Sequence, residues 1–526
     1  MKLPGCKTKA LFVVLTVLLS VSAAGDPSFC QIWQADIIKS EGVVKVSRNY
    51  KGLWVSEKCE IHPGPQFILR RYHIQHNGHF TLTRFHYRDP WCTAATFSVS
   101  AVGNFVPPPE KATSSKASWV VPGGLELDYA IRKVTIVPFT TDSADWLSQK
   151  VNGSCPGSVV TDWKPLKKYK LLNYGRKSMR KGKVRLDIGS IDDSVCTEAL
   201  GISFHELQLM RLEHRIPLRF VTFKRKYGEE PPGEDNARRY QTYLFLGAEG
   251  FPTGSRPTYY QMPLVLSQAS QCPTCLSIAK ASITSPPILS SGPYNTDITS
   301  TDLNGQWISL RCEVRPYGLF LRRIFIFAAQ DNHWQVQHSY YKDPHCHNPM
   351  FLLSASGIFF RGLPSNAVPD ATEYDFHIQE AFLTPEDVQF ANNLNGLYTC
   401  GSGSNWKVGD RGNLTRSGGC RELGIVVPSM ERDLVRFERS NMDLVFLYLG
   451  ETTEDKKRPT SFQPPLVRCS SPENKATDDF FLNYNELRPL PLVSGSSVFY
   501  SFRDYFLICL ACFVFSKLFH IIETAC

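Results

Sequence analysis

The sequence predicts an all-β protein made of two tandem, homologous antiparallel β domains, sandwiches or barrels, held by disulfides. Three observations predict it: an internal duplication, an even set of ectodomain cysteines, and short alternating segments bounded by turn residues. In the duplication, Gly52-Leu-Trp-Val-Ser-Glu-Lys-Cys59-Glu60 recurs as Gly305-Gln-Trp-Ile-Ser-Leu-Arg-Cys312-Glu313, and Pro63 then matches Pro316. Tyr87-Arg-Asp-Pro-Trp-Cys92 answers Tyr341-Lys-Asp-Pro-His-Cys346. Glu206, Leu209, Arg211 and Glu213 align with Glu431, Leu434, Arg436 and Glu438, and Leu246-Gly247 with Leu449-Gly450. Arg256-Pro-Thr-Tyr-Tyr-Gln-Met-Pro-Leu264 answers Arg458-Pro-Thr-Ser-Phe-Gln-Pro-Pro-Leu466.

The repeat organises the cysteines. Of 16, Cys6 lies in the leader and Cys509, Cys512 and Cys526 in the tail, leaving twelve. Cys30, Cys59, Cys92, Cys155, Cys196 and Cys272 form one set; Cys275, Cys312, Cys346, Cys400, Cys420 and Cys469 form the other. Six cysteines allow many pairings. The expected scheme is Cys59–Cys92 with Cys312–Cys346, Cys155–Cys196 with Cys400–Cys420, and the end cysteines of each copy closing that copy. Cys272-Pro-Thr-Cys275 then reads as the domain junction, with one cysteine belonging to each side; a redox pair or half a zinc site is the rival reading.

Between anchors the chain reads as strands. Tyr72–His76, Asn77-Gly78 and His79–Tyr87 predict a hairpin with a type I′ turn. Its counterpart runs through Phe325–Phe327, a turn near Asp331-Asn332, and Trp334–Tyr341. Ser118–Val121, Gly123-Gly124 and Leu125–Tyr129 predict another turn between strands. Leu207–Leu212 and Leu434–Phe437 fit strand or helix. Many short strands between turns indicate antiparallel sandwiches or barrels.

Both ends carry addresses. Lys2, Lys7 and Lys9 precede an apolar run, Ala10–Val21, ending in Ser22-Ala-Ala24: a secretory signal. Tyr505–Ile522 is apolar apart from Ser516, Lys517 and His520, and predicts a single-pass type I helix; the alternative is a lipid anchor at Ser494–Ser497. The expected organisation is a signal over 1–24, β domains over 25–273 and 274–470, a stalk over 471–497 and a membrane segment over 498–526. Sequons at Asn152 and Asn413 agree with an extracellular compartment.

Catalytic signatures are missing from the sequence. His205-Glu206 begins like a zinc-protease helix but has no second histidine four residues on. His73, His76 and His79 lack an obvious fourth ligand, and Glu60 and Glu313 supply only one carboxylate per copy. No enzyme activity, cofactor or metal is expected. The net charge of +9 is modest and does not indicate nucleic acid. One run stands out: Lys164, Lys167, Lys168, Lys170, Arg176, Lys177, Arg180, Lys181, Lys183 and Arg185 precede the first acid, Asp187. It reads as a solvated loop or as a heparan-sulfate contact.

The duplicated Gly-x-Trp-[Val/Ile]-Ser-x-x-Cys-Glu anchors resemble the adenomatosis-polyposis-coli-down-regulated family of membrane-tethered Wnt inhibitors. Ala117-Ser-Trp-Val120 with Gly123-Gly124, His205–Leu209 and both Arg-Pro-Thr-x-x-Gln-x-Pro-Leu segments add to the resemblance, which covers most of residues 50–470. It implies lipocalin-like barrels and a cell-surface Wnt antagonist whose partners are Wnt ligands and the LRP co-receptor. A barrel enclosing one apolar ligand implies capture of the palmitoleoyl group of Wnt, expected in the first barrel. A homodimer and the identity of the pocket residues are left open. In the second copy Pro369-Asp-Ala-Thr-Glu373 stands where the glycine pair would be, which argues against a tight turn there.

Overall fold

The computed structural model describes residues 30, 45–46, 49–111, 117–118, 121, 123–154, 162–173, 197, 200–215, 241–248, 255–267, 272–289, 303–328, 331–397, 399–401, 405–439, 444–451 and 457–469. The signal, Cys155, Cys196, the stalk and the C-terminal segment lie outside them. Among the described residues no helix is long and apolar enough to cross a membrane.

Each copy of the repeat closes a ring of antiparallel strands. In the second, Gly305–Ser309 pairs with Leu319–Ala328, followed by His333–Tyr341, Pro349–Pro364, Thr372–Pro385, Ser429–Arg439, Val445–Leu449 and Leu466–Arg468. Leu466–Arg468 pairs back onto Gly305–Ser309, closing an eight-stranded barrel with no free edge. In the first, the ring runs Gly52–Val55, Gln66–Ile74, His79–Tyr87, Ala95–Val106 and Asp128–Pro138. It passes through Leu125–Glu126 to Leu209–Arg215, Gln241–Leu246 and Leu264–Leu266, and returns to Gly52–Val55. Both rings bend at a bulged glycine, Gly103 and Gly357. A Cβ there would collide with the carbonyl oxygen of the neighbouring strand, at Ala130 or His377.

The repeat anchors do the same work in both copies. Trp54 and Trp307 are buried, and their indole N–H groups donate to Tyr50 O at 2.9 Å and Leu303 O at 2.8 Å. Asp89 accepts from the backbone N–H of Trp91, Thr93 and Ala94; Asp343 accepts from His345, His347 and Asn348. Those turns hold Cys92 and Cys346 at φ of 56° and 54°, facing Cys59 and Cys312, to which they are bonded. Gln261 and Gln463 donate to Gly247 O and Gly450 O, tying the last strand's approach to the Leu-Gly corner.

A buried ionic knot sits at the start of each barrel. Ser56 Oγ donates to Glu60 at 2.6 Å, Arg70 Nε donates to Glu60 at 3.0 Å, and Arg70 Nη2 reaches Met262 O at 2.5 Å. The second copy repeats it with Ser309 to Glu313 at 2.7 Å, Arg323 Nε to Glu313 at 2.9 Å and Arg323 Nη2 to Pro464 O at 2.5 Å. Burial pushes the Glu60 carboxyl up, but Arg70 and His62 beside it more than offset this and hold it below the usual carboxylate range. Burial pulls the Arg323 guanidinium down to about 10 against the attraction of Glu313.

Three expectations are corrected. The end cysteines do not close their own copies: Cys30 bonds Cys469, and Cys272 bonds Cys275. The physical reason is placement. Cys469 ends the strand beside Gly305–Ser309, where Cys30 also packs, while Cys272 and Cys275 share one end of the helix Pro273–Lys280. The first hairpin has a four-residue loop rather than a type I′ pair. Gly78 N donates to Gln75 O, and Gly78 takes φ of 80° while Asn77 is not left-handed. The second copy keeps its tight turn without glycine. Val368 N donates to Ser365 Oγ as Val121 N does to Ser118 Oγ, and Asp370 adopts φ of 64° where Gly123 has 81°. The ambiguous segments resolve as strands Leu209–Arg215 and Ser429–Arg439, with Leu207 in a short 3₁₀ turn. Cys400 bonds Cys420 as expected.

Arg323→Ala removes one of the two arginines paired with buried Glu313, Arg315 being the other, together with the bond to Pro464 O, and is expected to cost about 3 kcal/mol in urea unfolding. Arg88→Ala, which removes the solvent-exposed pair with Asp142, should leave the midpoint unchanged.

Candidate functional site: two barrel interiors and the cleft between them

The inner wall of a barrel is made by every second residue of each strand. In the first barrel those positions bring Tyr72 and Arg84 from neighbouring strands to Glu206, which the 3₁₀ turn His205–Gln208 points inward. Tyr72 OH donates to Glu206 Oε1 at 2.8 Å, Arg84 Nη2 to the same oxygen at 2.5 Å, and Arg84 Nε to Tyr72 OH at 3.1 Å. The Arg84 guanidinium also lies 5.4 Å from the Phe204 ring centre. Burial raises the Tyr72 hydroxyl far above its ordinary value, so it stays a neutral donor. The helix Thr141–Ser154 packs Ala144, Leu147 and Val151 into the same core. The first interior is thus crossed by a charged, hydrogen-bonded triad. His205-Glu206, the fragment of a protease motif, supplies its acid.

The second barrel has the same strands and a different lining. Phe325 stands where Tyr72 does, opposite the conserved-position indole of the repeat, and His338 stands where Arg84 does. The wall is aromatic: Trp334 meets Phe376 edge-on at 5.5 Å, Phe327 meets Phe359 at 5.8 Å, and Tyr340 stacks on Phe351 at 4.4 Å. His338 is 2% exposed, and neither ring nitrogen has a hydrogen-bond partner among the described residues. Burial first, then Arg323 and Arg315, hold it well below the usual imidazole value, so it is neutral. This pair of nitrogens is one free donor and one free acceptor among the inward-facing aromatic side chains.

The barrels face each other through the same repeat position. Lys58 Nζ donates to Glu438 at 2.9 Å and to the Tyr448 hydroxyl of the second barrel. Arg311, its counterpart, lies over Tyr243 at 5.7 Å and Phe245 at 6.0 Å of the first. Gly64 N donates to Thr460 Oγ1 and Tyr259 OH to Glu451, adding to the contact. Burial pushes Glu213 and Glu438 up, but Arg215, Arg211 and Arg311 around one and Lys58 and Arg436 around the other leave both below the ordinary carboxylate range. Between the barrels lies a cavity of about 370 Å³ lined by Arg211, Glu213 and Arg215 on one side and Arg311, Glu313 and Arg315 on the other.

Of the residues singled out in the sequence, Lys164, Lys167, Lys168 and Lys170 are exposed around the edge strand Tyr169–Asn173, where Trp163 stacks on Tyr169 at 4.0 Å. Arg176, Lys177, Arg180, Lys181, Lys183 and Arg185 lie outside the described residues. Asn152 is exposed on its helix; Asn413 is half-buried, its Oδ1 accepting from Thr415 N at 2.8 Å. Sequence reasoning missed Arg84, His338, Lys58 and Arg311. The signal was present: aligning the duplicated hairpins residue by residue pairs Arg84 with His338 and Tyr72 with Phe325.

The profile of a family described as adenomatosis polyposis coli down-regulated 1 matches residues 30–290 and again 293–477. Among solved structures, a tryptophan-to-alanine mutant of the vaccine antigen transferrin binding protein B from Haemophilus parasuis Hp5 is similar at 9% identity and a TM-score of 0.16. The similarity covers 76% of this chain and 65% of that one.

Asp433, at the Leu-Gly corner of the second barrel, tests the electrostatics of this region. Burial pushes its carboxyl up to about 7, although Leu434 N, Gly450 N, Arg323 and Arg458 all favour the anion. The folded value lies above the unfolded value of about 3.9, so this group's stabilisation is full below about pH 4 and is lost as pH rises through about 7. Asp433→Asn should therefore raise the melting temperature relative to the parent by an amount that grows between about pH 4 and pH 8. A constant difference across that range would contradict the buried neutral acid.

Proposed function

Because the chain belongs to the adenomatosis polyposis coli down-regulated 1 family, we propose that it is a non-enzymatic, membrane-tethered negative regulator of Wnt signalling. It binds Wnt through the ligand's palmitoleoyl group and blocks engagement of the receptor and its LRP co-receptor. The acyl chain enters the second barrel rather than the first.

The observation that carries this reading is the contrast between the two interiors. An acyl chain in the first barrel would have to displace or desolvate Tyr72, Arg84 and Glu206, which are already joined through Glu206 Oε1. Separating a buried charge pair costs several kcal/mol. The second interior offers aromatic wall to the chain and the unpaired N–H of neutral His338 as a donor to an ester oxygen. Burying about ten CH₂ groups there contributes about 8 kcal/mol gross, enough to dominate recognition.

Ala101 and Ala355 occupy equivalent inward positions, opposite Leu82 and Val336. Ala355→Phe should weaken binding of acylated Wnt by about tenfold or more, with Ala101→Phe close to the parent and non-acylated Wnt binding neither well. The reverse ranking would move the site to the first barrel. Unchanged binding in both, with thermal melts showing both variants folded, would make the contact a protein surface and end the acyl-capture reading.

A second contact has its own support. Four exposed lysines beside the Trp163–Tyr169 stack fit a sulfated glycan such as heparan sulfate. Replacing Lys164, Lys167, Lys168 and Lys170 by Glu should shift elution from heparin to lower salt without altering acylated-Wnt binding; an unmoved elution would remove the glycan from the account.

A further inference from the structure

We propose that the Cys272–Cys275 disulfide is a redox-exchange site, opened by an extracellular protein dithiol that attacks Cys272 Sγ. Disulfides that hold a fold join distant segments, because cross-linking restricts the unfolded chain more as the closed loop lengthens. Cys59–Cys92, Cys312–Cys346 and Cys400–Cys420 span 33, 34 and 20 residues, and Cys30–Cys469 spans 439. Cys272–Cys275 spans three and joins nothing beyond one helical turn. Its helix, Pro273–Lys280, is already fixed by other means. Ile278 is fully buried against the first barrel, and Arg71 Nε donates to Ala279 O at 3.2 Å.

The local arrangement is the one that thiol exchange requires. Cys272 is the N-cap and is partly exposed, whereas Cys275, in the first turn, is fully buried. An incoming thiolate therefore has one accessible sulfur. Cys275 N donates to Cys272 Sγ at 3.0 Å, and Pro273 fixes the backbone between them in the conformation that starts the helix. The same N–H and the positive end of the helix stabilise a thiolate on Cys272 once the bond opens. That stabilisation makes Cys272 a good leaving group in the second transfer, when it is released from the mixed disulfide.

The exchange balances as two transfers. One thiolate of the dithiol bonds to Cys272 Sγ while the Cys272–Cys275 bond breaks, and its electron pair goes to Cys275 Sγ, which takes a proton. The second thiolate of the dithiol then attacks its own partner sulfur and releases Cys272 as the thiolate. The dithiol ends as a disulfide, oxidised by two electrons, and the protein carries two reduced cysteines.

The test uses the full-length protein displayed on cells, treated with graded reduced thioredoxin, alkylated, and mapped by peptide mass spectrometry. Cys272 and Cys275 should be labelled at a thioredoxin level at least about tenfold below that needed for Cys59–Cys92, Cys312–Cys346 and Cys30–Cys469. Opening together with those bonds, or after them, overturns the proposal. A thioredoxin lacking its second active-site cysteine should be trapped as a mixed disulfide on Cys272; an adduct on Cys275, or none, overturns it equally. The double variant Cys272→Ser, Cys275→Ser should reach the surface with an unchanged melting temperature. Failure to do so would show the bond to be a structural staple.

Discussion

The structure depends on the buried Ser–Glu–Arg knot that each barrel carries: Ser56, Glu60 and Arg70, and Ser309, Glu313 and Arg323. Closing a barrel requires the first and last strands to meet, and neither is long: Gly52–Val55 and Leu264–Leu266 in one copy, Gly305–Ser309 and Leu466–Arg468 in the other. Their backbone ladders are correspondingly few. The arginine compensates by joining three places at once. It takes the serine oxygen on its own N–H, the glutamate on its guanidinium, and a carbonyl of the segment leading into the closing strand. A buried guanidinium without that carboxylate would be intolerable, so the knot acts as a register lock on the seam.

Once the seam is locked, the rest of each ring follows from alternation and turn chemistry. The inward residues need only be large enough to fill or line the space, which leaves their chemistry free to diverge. That freedom is what distinguishes the two interiors. Replacing Tyr72 and Arg84 by Phe325 and His338 keeps bulk at both positions but removes a charge and a phenol. The first barrel keeps Glu206 bonded through Oε1 to Tyr72 and Arg84, while the second is left with aromatic surface and one neutral imidazole. One fold therefore holds a charged interior beside an aromatic one.

The two barrels meet through the variable residues of the anchor itself. Lys58 and Arg311 precede Cys59 and Cys312, whose disulfides stiffen the turns that present them. Each cation reaches an aromatic ring of the other copy, and Lys58 also reaches a glutamate there. Contact of this reciprocal kind resembles a two-fold dimer interface within one chain. It leaves a charged cavity on the seam and carries Cys30–Cys469 across the two copies.

The sequence by itself determined the duplication, the strand-rich class and three disulfide pairings among the described residues. Each of these is local: a pattern of spacing, an alternation of residues, or cysteines close along the chain. Tertiary structure alone decided what depends on closure. Cys469 reaches Cys30 because the last strand returns to the first, which no spacing encodes. Glu206 looked like a stray motif fragment until a 3₁₀ turn aimed it into a ring of inward-facing side chains. Asp370 looked unfit for a tight turn, yet the Ser365 hydrogen bond stabilises the same geometry that Gly123 adopts by freedom of its backbone. Inward and outward residues on a strand differ by one position, and which set faces the chamber is fixed only when the ring closes.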